Sequence, residues 1–262
     1  MSGLLVRWIV GDRMRISETL AAELVATAHD LADAARVATL SHFRSRDLAA
    51  DNKETTRFDP VTAADRLSEQ RMRAILARRR PDDGILGEEF GTQDGTSGLT
   101  WVLDPIDGTR SYMSGTPTWG VLISVRDEHG PLYGIIDQPY IGERFEGGLG
   151  RAEVNGPMGK AALGVRSPRP LAQSTLFTTF PEVGTPEEGA AFRRVAPKAR
   201  LVRYGTDCYA YALIAAGQID LVIEAAGGIV TDWQGNPVWD GGQVLAAASR
   251  DLHAEALALL NG

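Results

Sequence analysis

The sequence predicts an α+β fold, and three patterns along the chain support that prediction. Apolar residues recur at the spacing of an amphipathic helix from Ser17 to about His42. A β-branched run over 118–125 is followed by a turn and a second apolar run over 132–136, the pattern of an antiparallel hairpin. Beyond the hairpin, short apolar strands alternate with helical segments. The chain therefore combines helices with both hairpin and strand–helix units.

Composition limits the class of protein. The chain has 262 residues, 44% of them apolar, enough for one large domain or two closely packed subdomains. A net charge of −7 with scattered basic residues argues against a nucleic-acid partner. The single cysteine, Cys208, excludes an internal disulfide, fits the reducing cytoplasm and is expected to be buried. Residues 1–16 form an N-terminal extension whose apolar stretch is too short for a membrane span, so no membrane partner is expected.

Two acidic segments precede the centre of the chain. Pro60 restricts the backbone of Asp59, while Thr62 and Asp65 have the spacing of a helix capping box, which on its own explains the segment. The second segment, Gly87-Glu88-Glu89, follows a short apolar strand. An unpaired buried carboxylate is costly, so these glutamates are either solvated or in contact with a metal. Residues 92–98 are expected to form a loop.

The central stretch of the chain is Trp101-Val102-Leu103-Asp104-Pro105-Ile106-Asp107-Gly108-Thr109. We expect a strand that ends at Asp104, because Pro105 has no N–H for further pairing. Two carboxylates held in one turn repel each other unless a cation lies between them, and hard oxygen ligands suit magnesium or manganese. Gly108 permits close backbone approach, and Thr109 begins a segment whose N–H groups can bind an anion. A metal and a phosphate can therefore meet here.

The second half predicts further strands and helices. Asn155-Gly156 is a turn signal, Pro186–Val195 has a helical pattern, and another helix opens at Gly205-Thr206-Asp207. A buried strand then ends at Glu224. Another strand pattern starts at Gly227, only a few residues later. A crossover between parallel neighbours needs a dozen or more residues, and this interval is too short for one.

Three segments together resemble the inositol monophosphatase family: Asp59-Pro60-Val61-Thr62-Ala63-Ala64-Asp65, Gly87-Glu88-Glu89 and Asp104-Pro105-Ile106-Asp107-Gly108-Thr109. The resemblance extends from about residue 17 to the end of the chain. It implies a layered αβαβα sandwich, usually a homodimer, that hydrolyses small phosphate monoesters with magnesium-activated water. The segments 109–115 and 205–211 are most similar to the histidinol-phosphate phosphatase branch, which acts in histidine biosynthesis. Inositol phosphate is the alternative substrate.

The resemblance also assigns roles to residues of this chain. The first magnesium would be bound by Glu88, Asp104 and the carbonyl of Ile106, and the second by Asp104 and Asp107. Two or three ions are expected, and manganese is an alternative. The catalytic set would be Asp59, Glu88 and Thr109, with Thr109 oriented by Asp59 toward the attacking water. The phosphate would contact residues 106–109, and the rest of the substrate would contact Gly205, Thr206, Asp207 and Glu224. The carboxylates of Asp207 and Glu224 suit a cationic amino alcohol such as histidinol.

One feature departs from the family pattern. The resemblance implies a loop and helix after Glu224, with a further aspartate for the second metal, but this chain continues from Ala225 directly to Ala226-Gly227-Gly228. Asp240 is a poor replacement because it follows the glycine-rich strand. Either the protein contains a segment that this sequence lacks, or the deletion is real and leaves an impaired phosphatase-like binding protein. We favour the first, because losing a crossover would damage the sheet. A single phosphatase domain over 17–262 is expected, with a metal and phosphate subdomain at about 17–160 and a leaving-group subdomain at 161–262.

Overall fold

The computed structural model describes residues 16–45, 50–52, 60–180, 185–224, 232–234, 236 and 243–262. The predicted N-terminal extension, apart from Ile16, lies outside this part of the chain, as do Asp59 and the predicted strand that begins at Gly227. Within the described ranges, no helix has both the length and the apolar character needed to cross a bilayer.

Helices and strands follow each other along the chain in an α+β order. The helices are α1 (Glu18–Leu40), α2 (Ala63–Arg79), α3 (Thr109–Met113), α4 (Pro186–Val195), α5 (Asp207–Ala215) and α6 (Arg250–Leu260). The strands are β1 (Ala50–Asn52), β2 (Pro60–Thr62), β3 (Gly84–Gly87), β4 (Gly91–Gln93), β5 (Thr100–Asp107), β6 (Gly120–Asp127), β7 (Gly130–Gln138), β8 (Glu143–Gly148), β9 (Arg151–Gly156), β10 (Gly159–Ala162), β11 (Thr175–Thr178), β12 (Leu201–Tyr204), β13 (Leu221–Glu224) and β14 (Val244–Ala247). Leu171–Gln173 and Ala196–Lys198 are short 3₁₀ turns.

A large sheet forms the first half of the fold. Its strand order is β10-β9-β8-β7-β6-β5-β3-β4, and every neighbouring pair is antiparallel except β3 and β5. Helices α1 and α2 contact each other and pack on one face of this sheet. The core between them is made of buried apolar side chains from α1, α2 and the strands β3, β5, β6 and β7, including Leu24, Met72, Trp101 and Ile123. Their burial removes apolar surface from water, which is the main stabilising contribution here.

A small sheet forms the second half, with the strand order β12-β11-β13-β14. Strand β11 runs parallel to β12 and β13, and β14 is antiparallel to β13. Helix α5 contacts β6 and β7 of the large sheet as well as β11 and β13 of the small one. Helices α4 and α6 pack together, with α6 against β14, over a separate apolar cluster. The layers are therefore helix, sheet, helix, sheet, helix, which confirms the αβαβα expectation.

Several local predictions are confirmed. Ser17 caps α1 by accepting the Leu20 N–H at 3.1 Å, and both hydrogen bonds of the Thr62–Asp65 capping box begin α2. Helix α4 has the predicted bounds, and β6 and β7 form the expected hairpin. Cys208 is buried.

Three local predictions are wrong. Asn155-Gly156 does not form the turn, because both residues pair with β10 and the turn lies after them. The loop expected over 92–98 begins inside β4, which pairs with β3 and extends the large sheet. Strand β5 also does not end at Asp104; it continues through Pro105 to Asp107.

Among the described strands, the connection that follows Glu224 leads from β13 to β14. These two strands are antiparallel, so no crossover helix is needed between them. The other described partner of β13 is β11, which precedes it in the chain. The intervening residues 225–231 lie outside the described ranges, so the predicted deletion of a helix remains a prediction.

Candidate active site

A bulge in β5 brings the two aspartates of the central stretch to one side of the sheet. Asp104 pairs with Leu122 and Asp107 pairs with Gly120, so three steps along β5 correspond to two steps along β6. In a regular strand, residues three positions apart point to opposite faces. The extra residue in the bulge cancels this alternation. Pro105, which has no N–H to pair, lies inside the irregular segment, where a proline is tolerated.

Gly108 ends this strand and begins α3. Its φ of 86° is in the left-handed region, which glycine adopts without steric strain because it has no Cβ. The chain then turns into α3, and the Thr109 hydroxyl donates to the carbonyl of Ile106 at 3.1 Å. The Asp104 carboxylate accepts the Ile106 N–H at 3.1 Å. The structure therefore brings together Asp104, Ile106, Gly108 and Thr109, as the sequence predicts.

Glu88 joins this turn from the neighbouring strand. Its backbone N–H donates to the carbonyl of Leu103 on β5 at 3.1 Å, which places it beside Asp104. The Glu88 side chain is solvent-exposed and makes a hydrogen bond with the Asp104 carboxyl. Burial, followed by the charges of Glu88 and Asp107, raises the pKa of Asp104 well above its usual value. Burial, together with the charge of Asp207, raises the pKa of Asp107 to about 6.

Asp65 belongs to the same acidic cluster, which the sequence reasoning missed. Its carboxylate accepts the N–H of Thr62 at 2.8 Å and the Thr62 hydroxyl at 2.5 Å, so it does cap α2. The side chain is nevertheless buried, and burial together with the charge of Glu88 raises its pKa. It also contributes to the raised pKa of Asp104. The available signal was a motif with two aspartates six positions apart, Asp59 and Asp65, but the capping box explained the second one fully.

The second half of the chain reaches the turn through α5. Asp207, the first residue of α5, has a left-handed φ of 44°. Its Cγ lies 2.7 Å from the position that a Cβ would take on Gly108, so only glycine leaves room for this carboxylate. The Ser111 hydroxyl donates to Asp207 at 2.7 Å, and the Cys208 N–H donates to Asp107 at 2.5 Å. Asp207 therefore lies against the predicted phosphate turn.

Glu224 is placed on the same side by the end of β11. Its carboxylate accepts the Thr179 N–H at 2.7 Å and the Thr179 hydroxyl at 3.0 Å. The N–H of Gly205 donates to the carbonyl of the same Thr179 at 2.9 Å, which joins Glu224 to the loop that carries Asp207. Burial raises the pKa of Glu224 to about 7, with added contributions from the charges of Asp207 and Asp107.

The remaining predicted substrate residue, Thr206, lies between Gly205 and Asp207. Its hydroxyl oxygen is buried and has no hydrogen-bond partner within the described ranges. Thr118 anchors the same loop by donating to the Gly205 carbonyl at 2.9 Å. The Thr206 hydroxyl is thus available to hydrogen-bond a ligand near Asp207, where the substrate is predicted to bind.

The donor chemistry of this cluster fits a hard divalent cation. Carboxylates and a backbone carbonyl are the ligands that magnesium and manganese prefer. A cation would offset both the burial and the neighbouring negative charges that raise the pKa values of Asp104 and Asp107. Over the described part of the chain, however, no three acidic, histidine or cysteine side chains converge as metal ligands do. Asp104 accepts the Ile106 N–H and Asp107 accepts the Cys208 N–H, each through one carboxylate oxygen.

Comparison with known proteins agrees with the architecture. The sequence model described as the inositol monophosphatase family matches residues 20–225. The chain is 36% identical to the bifunctional phosphatase IMPL2 of Arabidopsis thaliana, an alignment that covers 92% of this chain and 76% of the relative. It is 33% identical to a histidinol-phosphatase of Mycobacterium tuberculosis, over 88% of this chain and 95% of the relative. A solved inositol monophosphatase from Zymomonas mobilis superposes with a TM-score of 0.80 at 35% identity, covering 92% of this chain and 98% of that one.

The fold and the acidic turn define a phosphoric monoester hydrolase of a generally metal-dependent class. The chain belongs to the inositol monophosphatase family, which confirms the resemblance identified from the three sequence segments. The alignment to IMPL2 spans 270 residues, more than the 262 of this chain, so it includes positions that this chain lacks.

Proposed function

We infer that this phosphatase converts L-histidinol phosphate into L-histidinol and phosphate in a magnesium-dependent reaction. The observation that carries the inference is the position of Asp207, whose carboxylate lies against Gly108 of the predicted phosphate turn and accepts a hydrogen bond from Ser111. A negative charge directly beside a phosphate site is unfavourable for a substrate that offers only hydroxyls. It is favourable when the substrate carries a positive charge next to its phosphate.

Glu224, at the end of β13, supports the same inference. Burial raises the pKa values of both Glu224 and Asp207, so each carboxylate is costly to ionise as it stands. An ammonium group between them would favour their ionised forms, because a nearby opposite charge offsets the cost of burial. The cationic amino alcohol of histidinol supplies such a group. Two further observations support this side of the site: the buried Thr206 hydroxyl, and the similarity of the chain to the histidinol-phosphatase of Mycobacterium tuberculosis.

The residues of the acidic turn would bind the metal ions, bind the phosphate and orient the attacking water. Asp104, Asp107, Glu88 and the Ile106 carbonyl would hold divalent ions, which supply charge neutralisation for the phosphate and a more acidic water. Backbone N–H groups at the start of α3 would contact phosphate oxygens. The Thr109 hydroxyl, now bound to the Ile106 carbonyl, would orient the attacking water, and Asp65 of the same acidic cluster would be available to assist it. Asp59, assigned this task from the sequence, lies outside the described residues.

The alternative substrate is inositol 1-phosphate. The Zymomonas mobilis structure, which shares the fold at 35% identity, carries the name of an inositol monophosphatase. A second alternative follows if the deletion after Ala225 is real. The second metal site would then lack a carboxylate, and the protein would bind a phosphorylated metabolite with little hydrolysis.

A phosphate-release assay with three substrates tests the proposal. We expect histidinol phosphate to be hydrolysed with a higher kcat/KM than inositol 1-phosphate or glycerol phosphate in the presence of magnesium. Asp207→Asn keeps the size of the side chain and its contact with Ser111 while removing the charge. It should lower kcat/KM for histidinol phosphate about 10- to 100-fold, the range for a hydrogen bond to a charged group. The neutral substrates serve as the internal control, and equal losses on all three would contradict charge recognition.

A further inference from the structure

Glu69 on α2 contacts the backbone of the loop that carries Glu88. Its Oε2 atom accepts the Glu89 N–H at 2.7 Å, and its Oε1 atom accepts the Phe90 N–H at 3.3 Å. The Glu69 side chain is fully buried. Burying a carboxylate is unfavourable unless hydrogen bonds and an opposite charge compensate, so the stability of buried Glu69 depends on these partners.

Arg73 supplies the opposite charge and a second connection to the loop. Its Nε atom donates to Oε1 of Glu69 at 2.7 Å, and its Nη2 atom donates to the carbonyl of Gly91. The guanidinium therefore bridges the buried carboxylate and the far end of the loop. Glu69 and Arg73 are one helical turn apart, which is the spacing at which such pairs meet.

Gly87 shows how closely Glu69 approaches the loop. A Cβ at Gly87 would lie 1.9 Å from Oε1 of Glu69, closer than any non-bonded contact allows. The missing side chain thus makes room for the Glu69 carboxylate immediately before Glu88. On the other edge, the Glu88 N–H is bound to Leu103 of β5. The backbone of Glu88 is held between a strand on one side and a charged pair on the other.

The same helix face also carries Asp65, one turn before Glu69. Residues at this spacing lie above one another on a helix. Helix α2 therefore presents Asp65 to the acidic cluster and Glu69 to the loop from one rigid surface. The relative position of Asp65 and Glu88 depends on this surface.

We propose that Glu69, braced by Arg73, is a positioning residue that sets the location of the Glu88 carboxylate for divalent-metal binding. The proposal rests on the proposed metal-dependent function. The carboxylate oxygens of Glu69 bind the Glu89 and Phe90 N–H groups and Arg73, so Glu69 would act on a metal through the backbone of residues 87–91. Groups of this kind, which orient a metal ligand, commonly change metal affinity about 10- to 100-fold when they are removed.

Manganese binding to the free protein tests this, with Mn²⁺ followed by electron paramagnetic resonance in the absence of substrate. Glu69→Ala is expected to weaken Mn²⁺ binding about 10-fold or more. Glu69→Gln keeps an oxygen for the Glu89 N–H but loses the charge for Arg73, so it should give a smaller loss. Its milder change also covers the case in which Glu69→Ala does not fold. Met72→Ala is the matched control, because Met72 is a fully buried core residue on the same helix.

Two further measurements separate positioning from general stability. In phosphate release, the magnesium concentration for half-maximal rate should rise in Glu69→Gln, with a smaller effect on the rate at saturating magnesium. Met72→Ala should lower the Tm without changing either quantity. In hydrogen exchange, the Glu89 and Phe90 amides should lose protection in the Glu69 variants but not in the control.

The outcomes are distinguishable. Unchanged Mn²⁺ affinity in folded Glu69→Ala and Glu69→Gln, or an equal loss in Met72→Ala, would overturn the positioning role. A wild-type protein that binds no Mn²⁺ would contradict the proposed function and with it the role in metal binding. In that case the exchange of the Glu89 and Phe90 amides would still report whether Glu69 holds the loop.

Discussion

The backbone N–H of Cys208 donates a 2.5 Å hydrogen bond to the carboxylate of Asp107. Asp107 ends β5 of the large sheet, and Cys208 lies in the first turn of α5, where a helix has free N–H groups and favours negative charge. This bond joins the acidic turn to the loop that carries Asp207. A residue of the predicted metal and phosphate turn is therefore hydrogen-bonded directly to the segment predicted to contact the leaving group.

Replacement of Asp65 should separate its capping role from its place in the acidic cluster. Asp65→Asn should reduce phosphate release about 100-fold or more, the lower range for loss of a proton-transfer or orienting group. The capping loss should lower the free energy of unfolding by only about 1 kcal/mol. The activity is measured by phosphate release and the stability by urea unfolding.

Glu188→Gln is the matched control for Asp65, because Glu188 has the same position in the capping box of α4. It should lose a comparable amount of stability and keep full activity. If Asp65→Asn behaved like Glu188→Gln in both measurements, Asp65 would be a cap and nothing more.

Much of this site could be predicted from the sequence because its residues lie in one short segment. Asp104, Asp107 and Thr109 fall within six positions, so local chemistry was sufficient to group them, and the family resemblance added the Ile106 carbonyl. The bulge was not predicted, because Pro105 indicated the end of a strand and the pairing with β6 depends on distant residues. Turn chemistry was likewise overridden at Asn155, where pairing with β10 extends the strand.

Long-range contacts explain what the sequence did not reveal. In the sequence, Glu69 looks like any other charged residue on the polar side of α2. Its hydrogen bond with the Glu89 N–H depends on how α2 packs against residues 87–91. Asp65 has a complete local explanation that hides its second environment. By contrast, α4 begins with a capping box and a proline and ends where its apolar pattern ends, so both of its bounds were predicted.

A side chain at Gly108 should lower both stability and activity, whereas a side chain at Gly115, a second left-handed glycine, should lower stability alone. Gly108→Ala must adopt a φ of 86° and displaces the Asp207 carboxylate. Gly115→Ala is the control, because Gly115 has a φ of 72° but its nearest neighbour is Arg44 Cγ at 3.4 Å. Both variants should lose about 1–2 kcal/mol of stability from the left-handed conformation.

Only Gly108→Ala should also lose phosphatase activity, by about 10-fold or more, since a displaced group at a reacting site is costly. Steady-state kinetics and thermal unfolding of the two variants give the comparison. Equal activity in both would mean that the contact between Gly108 and Asp207 is unimportant for the reaction.

Glu224 should make the protein less stable as the pH rises. Its pKa is 4.5 in the unfolded chain and about 7 in the folded protein, so protonation favours the fold. This contribution is complete below about pH 4.5 and is lost as the pH rises through about 7. Glu224→Gln removes the titration while keeping an acceptor for Thr179. The stability of the variant relative to wild type should therefore increase by about 3 kcal/mol across that interval.

Urea unfolding at a series of pH values, with a chelator present, measures this difference. Glu188→Gln provides a control of opposite sign, because hydrogen bonds lower the pKa of Glu188 and its contribution is lost as the pH falls. A pH-independent difference between Glu224→Gln and wild type would show that Glu224 titrates normally.

The mass of the protein tests whether a loop and helix are missing after Glu224. The 262-residue chain has a mass of 28.2 kDa. If the protein contains the loop and helix that the family pattern implies, the mass of the protein purified from its native source should exceed this value by that segment. Intact-mass spectrometry decides the matter, and a value of 28.2 kDa would establish a real deletion.

The central claim is that the carboxylates around Asp104 and Asp107 support metal-dependent hydrolysis of histidinol phosphate. The most direct test is phosphate release from histidinol phosphate by protein stripped with a chelator and then titrated with magnesium. We expect no release above the uncatalysed rate in the stripped protein and saturable recovery as magnesium is added. Full activity in the stripped protein, or no activity at any magnesium concentration in folded protein, would contradict the account.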